Sequence, residues 1–109
     1  MAYNDYRFTP LARRDIEQAI EYIINEFGDK GAAKRLYDGV FKAIERIRLF
    51  PESCALVTNK LIKNKNIRRA LVDNYLLFYL YDKAQSTIVI LRFIYGKRSL
   101  TELLNEVSL

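Results

Sequence analysis

Ile67 to Gly96 reads IRRALVDNYLLFYLYDKAQSTIVILRFIYG, three apolar runs of strand length divided by two short turns. Ile67 to Val72 is the first run, and Asp73-Asn74 after it suits a two-residue hairpin turn because both residues tolerate positive φ. Tyr75 to Tyr81 is apolar on both faces, as a central strand should be. Asp82 to Ser86 makes a second turn, Thr87 to Tyr95 is rich in Ile and Val, and Gly96 ends it. Arg92 interrupts this last run, on the face that alternation assigns to Ile88, Ile90 and Ile94. A charge there needs solvent or a partner. Either it lies on the open side of the sheet, or it pairs beneath the helices with a carboxylate such as Asp15 or Glu17. The pairing is the preferred reading.

Upstream of the sheet the period changes from two to 3.6. Tyr3 to Phe8 alternates as a short first strand, Thr9 is placed to cap a helix and Pro10 to open it. Ala12, Ile16, Ile20, Ile23, Ile24 and Phe27 then recur at helical spacing up to Gly28. Asp29 caps a second helix from about Lys30 to Leu49, with the stripe Ala33, Leu36, Tyr37, Val40, Ile44 and Ile47, and Phe50-Pro51 stops it. Two long helices joined by two or three residues make an antiparallel hairpin. Beyond the sheet, Leu100, Leu103, Leu104 and Val107 give residues 99–109 the stripe of a short amphipathic helix. The order is β-α-α-β-β-β-α: an α+β domain spanning 1–109, with a helical hairpin covering one face of an antiparallel sheet.

Composition limits the chemistry. The 109 residues, half of them hydrophobic and with eight Tyr and six Phe, suffice for one cored domain. Cys54 is the sole cysteine and reads as a small apolar filler, so the fold stands without disulfides, as suits a reducing cytoplasm. Histidine is absent, which excludes a Ser-His arrangement and, with one cysteine, a structural zinc site. No cofactor or metal is expected. Neither a signal peptide nor a membrane-spanning run is apparent. The net charge of +5 favours anionic partners. Its densest part, from Ser53 to Val72, has no acidic residue but holds Lys60, Lys63, Lys65, Arg68 and Arg69.

In this order, the chain resembles the RelE/ParE toxins of type II toxin–antitoxin pairs, the superfamily of plasmid stabilisation proteins. The residues that carry the likeness are Phe8-Thr9-Pro10, Arg14-Asp15-Ile16, Tyr22-Ile23, Ala32-Ala33, Leu36, Ala43-Ile44 and Phe50-Pro51. In the sheet they are Ile67-Arg68, Asn74-Tyr75, Phe78-Tyr79, Asp82, Ile90-Leu91-Arg92 and Tyr95-Gly96-Lys97-Arg98, with Leu103-Leu104 closing. The resemblance implies a cognate antitoxin, whose neutralising segment wraps the toxin, and contact with operator DNA only through that antitoxin. It implies one of two targets. RelE-like members cut mRNA in the ribosome as metal-independent endoribonucleases, and ParE-like members poison DNA gyrase without cutting RNA. A third alternative is an inert member that keeps only antitoxin binding.

RNA cleavage would need a proton acceptor, a proton donor and cations for the phosphorane charge. Without His these fall to Lys, Tyr, Arg and carboxylates. By resemblance, Arg98 stands where the superfamily places a phosphate-stabilising arginine. Arg68 and Arg69 stand near the strand lysines of the nuclease branch, and Tyr95 near a terminal His–Tyr pair that could act as acid or base. Lys60, Lys63, Lys65, Lys97 and Arg92 complete the candidate RNA or partner contacts, and a basic run would speed capture of an acidic antitoxin segment. Two departures weigh against cleavage. Leu76 occupies the position of a catalytic arginine, and Leu100, Leu103 and Leu104 occupy the region of the nuclease branch's tail tyrosine. The tail stripe would cover the sheet or be displaced by the antitoxin.

Overall fold

The computed structural model describes residues 3–57 and 66–96. Its elements are β1 (Asp5–Phe8), α1 (Pro10–Phe27), α2 (Lys30–Leu49), β2 (Ile67–Val72), β3 (Tyr75–Asp82) and β4 (Thr87–Tyr95). The helix expected over 99–109 lies outside the described residues.

Local chemistry sets the helix ends. The Thr9 hydroxyl accepts from the Ala12 N–H at 3.1 Å and donates to the Leu91 carbonyl at 2.9 Å, so one side chain caps α1 and ties it to β4. Gly28 takes the left-handed conformation, φ 60°, and returns its N–H to the Ile24 carbonyl. Asp29 caps α2 by accepting from Ala32 N–H at 2.9 Å. The two helices then pack on one face of the sheet, burying Ala12, Ile16, Leu36, Val40, Ile44 and Ile47 against Leu77, Tyr79, Ile88, Ile90 and Phe93.

The sheet order is β1-β4-β3-β2. β2, β3 and β4 form the expected antiparallel meander, with Asp73 at φ 52° in the first turn. β1 departs from the wholly antiparallel sheet the sequence suggested, because it runs parallel to β4, Asp5 opposite Thr87 and Phe8 opposite Ile90. A tight hairpin forces its strands antiparallel, but the whole helical hairpin and two further strands separate β1 from β4, so no turn dictates their direction. β1 also starts two residues later than Tyr3. Asn4 instead exchanges bonds with Arg48 of α2, donating from Nδ2 to its carbonyl at 2.7 Å and accepting from its Nε at 2.6 Å. Tyr3 donates to the Glu45 carboxylate, and the Arg48 guanidinium lies over its ring.

One irregularity matters for the site. Phe78 pairs with Arg92 but Tyr79 pairs with Ile90, so Leu91 is an extra residue and β4 carries a bulge. The bulge resets the alternation. Ile88 and Ile90 face the helices, whereas Ile94 joins a second cluster on the opposite face with Ile67, Phe78, Val89 and Leu91. The face shared by Ile88, Ile90 and Ile94 in a regular strand therefore does not exist.

Candidate functional site

Arg92 reaches Asp15 of α1. Its Nε donates to Asp15 Oδ2 at 2.7 Å, its Nη2 to Oδ1 at 3.0 Å, and the Phe93 N–H also donates to Oδ2 at 3.1 Å. Arg92 is 5% exposed and Asp15 8%. Of the two placements open from sequence, this is the pairing with Asp15. Arg92 is therefore no surface contact for RNA or a partner, because its fork is spent on a buried carboxylate.

The other candidates separate. Arg68 stands opposite Tyr79 on the helix-covered face, and its Nη1 donates to the carbonyls of Cys54 at 2.6 Å and Glu52 at 3.2 Å. Its Nη2 lies 3.7 Å from the Glu52 carboxylate, so this arginine clamps the loop that follows α2. Arg69 stands opposite Phe78 on the other face and is exposed. Tyr95 pairs with Tyr75 at the far end of β3, on the helix side. Arg69 and Tyr95 are thus on opposite faces of the sheet and cannot address one phosphate. Arg98, Lys97, Lys60, Lys63 and Lys65 lie outside the described residues.

Tyr95 belongs instead to a cleft of about 860 Å³ where the end of α1 and the start of α2 meet the β2–β3 turn. Gln18, Tyr22, Arg35, Asn74 and Tyr75 line it with Tyr95. The Tyr75 ring stacks on Phe93, with centroids 4.8 Å apart and planes 6° from parallel, and meets Tyr95 edge-on at 5.6 Å. On the opposite wall Tyr22 packs edge-on against Phe27, and the two are 55% and 70% exposed. Burial, with Tyr22 and Tyr95 nearby, pushes the Tyr75 phenol above its ordinary value. Among the described residues no cluster of His, Cys, Asp or Glu could hold a metal. Apolar rings rimmed by hydroxyl, amide and guanidinium groups suit the capture of a protein segment.

Sequence reasoning missed this cleft. It assigned Phe27 to the core stripe, but the ring stands exposed at the cleft. Tyr22 lies off that stripe. An aromatic on the polar side of a helix was the available signal.

The family model of the ParE toxin of type II toxin-antitoxin system, parDE, matches residues 6–100. Among solved structures, the toxin–antitoxin complex RelBE2 from Mycobacterium tuberculosis is similar at 22% identity and TM-score 0.59, covering 86% of this chain and 99% of that one. The chromosomal ParDE system from P. aeruginosa is similar at 11% identity and TM-score 0.68, covering 87% of this chain and 98% of that one. These likenesses show the fold. No curated protein sequence matches the chain. Among the described residues no helix is long and apolar enough to cross a membrane.

Proposed function

The chain belongs to the ParE toxin family of type II toxin–antitoxin systems, and on that premise we propose that it arrests growth by binding DNA gyrase rather than by cutting RNA. The observation that carries this reading is the dispersal of the nuclease candidates among the described residues. Arg92 and Arg68 are engaged in structural bonds, and Arg69 and Tyr95 stand on opposite faces of the sheet. A phosphoryl-transfer site needs its acid, base and cation within reach of one phosphate. A binding toxin needs only a shaped surface, and the tyrosine cleft supplies one. The cognate antitoxin is its other partner. Operator DNA is reached through that antitoxin, and the cytoplasm, where gyrase works, is the compartment.

The test runs two assays on one preparation. With excess toxin, gyrase supercoiling falls and cleaved DNA complexes accumulate, while mRNA on programmed ribosomes stays intact. Unchanged supercoiling, or mRNA cut in the ribosomal A site, would overturn the reading. Cognate antitoxin should restore supercoiling.

A further inference from the structure

The charges of α2 sort onto two flanks. A helix turns about 100° per residue, so Gly31, Arg35, Gly39, Lys42 and Arg46 fall along one side of it, and Lys34, Asp38, Glu45 and Arg48 along the other. The second flank faces β1, because the Arg48 guanidinium lies over the Tyr6 ring at 5.2 Å. Its charges are matched. Lys34 pairs with Asp38 at 3.3 Å, and Arg48 with Glu45 at 3.1 Å. The first flank faces β2. A Cβ on Gly39 would meet the Val72 side chain at 3.2 Å, so the helix sits directly on that strand. Arg35, Lys42 and Arg46 are exposed along this flank, and among the described residues none of them has an ion-pair partner. The flank itself holds no carboxylate.

We propose that this flank of α2 is a second contact surface of the toxin, fitted to the phosphate backbone of duplex DNA. Three observations select that occupant. First, the cations are in line. From Arg35 to Arg46 the helix rises about 16 Å, a length over which each strand of a duplex carries about five phosphates. Second, the flank offers charge without anchors. Glycines stand between the cations, and the exposed ring of α2, Tyr37, belongs to the opposite flank. A protein interface is organised around buried aromatic and apolar anchors, whereas Arg and Lys suffice for phosphates. Third, the surplus is local. On α1 the exposed Arg13 and Arg14 are followed within two turns by the exposed Glu17 and Glu21, which offset them. Asp73 lines the cleft with Arg35 but forms no ion pair with it. The choice of duplex DNA rests on the reading of gyrase as the target, since gyrase holds a duplex as it works. Arg35 is common to the flank and to the tyrosine cleft. A protein held in the cleft and a duplex lying along α2 would therefore be neighbours.

The experiment titrates a short fluorescein-labelled DNA duplex with the intact chain over a salt series, read by anisotropy. Each phosphate contact contributes about 0.9 to the slope of log affinity against log salt. Lys42→Gln with Arg46→Gln should make the slope shallower by about 1.8, with the same loss on duplexes of unrelated sequence and no change in Tm. Arg13→Gln with Arg14→Gln removes as much charge from α1 and should leave the slope as it was. A slope unmoved by the α2 pair, an equal change from the α1 pair, or tighter binding to an RNA hairpin or to polyglutamate than to the duplex overturns the proposal. A second arm uses gyrase. The α2 pair should bind gyrase without DNA as tightly as the unaltered toxin, yet need several-fold more protein to accumulate the same amount of cleaved complex. Gyrase poisoned equally by both proteins removes the α2 contact and keeps the gyrase reading. An unaltered toxin that binds the duplex through α2 but leaves gyrase unaffected removes the gyrase reading and keeps the α2 contact.

Discussion

At Asp15 three donors converge on one buried carboxylate, two from Arg92 and one from the Phe93 backbone. Removing one member of such a pair strands the other charge in a medium of low polarity. Asp15→Ala should therefore cost about 3–5 kcal/mol, read from urea unfolding. The double change Asp15→Leu with Arg92→Met should cost much less than Asp15→Ala. If the double variant loses as much, the pair does more than neutralise itself. Sequence alone left Arg92 between the open face and a carboxylate such as Asp15 or Glu17, and preferred the pairing. β4 carries a one-residue bulge beside Arg92, and no residue type between Leu91 and Phe93 announces one. Tyr79 offers a second test. Its hydroxyl donates to the Pro51 carbonyl at 2.9 Å, and burial pushes its pKa well above the ordinary 10.0. A folded pKa above the unfolded one means stability fully present below pH 10 and lost as pH rises beyond it. Unfolding free energy should fall in strong alkali, and Tyr79→Phe should flatten that fall while costing about 1 kcal/mol at neutral pH.

Among the elements, α1 shows why helix ends were legible and the place of β1 was not. Thr9-Pro10, Gly28-Asp29 and Phe50-Pro51 act over three or four residues, so their chemistry is written where it operates. The pairing of β1 with β4 depends on residues more than eighty apart and leaves no local mark. The dispersal of Arg69 and Tyr95 was half legible. Alternation guaranteed that Arg68 and Arg69 would part company, but which faced the helices depended on packing. Thr9 permits a prediction at this scale. Its hydroxyl serves α1 and β4 together, so Thr9→Ala should cost about 2 kcal/mol, the upper end for a cap, and Thr9→Ser should retain most of the stability. Gly28→Ala, at φ 60°, should cost about 1 kcal/mol. An unchanged midpoint in urea for either alanine variant would contradict the capping argument.

Across the whole molecule, aromatic residues divide between holding the fold and waiting outside it. Phe78, Tyr79 and Phe93 are fully buried, whereas Tyr22 and Phe27 stand open at the cleft. Tyr22→Ala should accordingly weaken binding of the protein partner that uses the cleft, gyrase or antitoxin, about tenfold or more, the scale of an aromatic anchor, with Tm shifted by no more than a few degrees. Calorimetric titration with each partner would show which one loses affinity; equal affinity for both would remove the cleft from the interface. The parallel pairing of β1 with β4 carries a consequence for how the toxin is made. Thr9 closes on Leu91, 82 residues later. At roughly 5–20 residues per second, the first strand waits about 4–16 s on the ribosome for its neighbour to be translated. Until β4 emerges, the β1 ladder and the bond from Thr9 to Leu91 have no partner to close on.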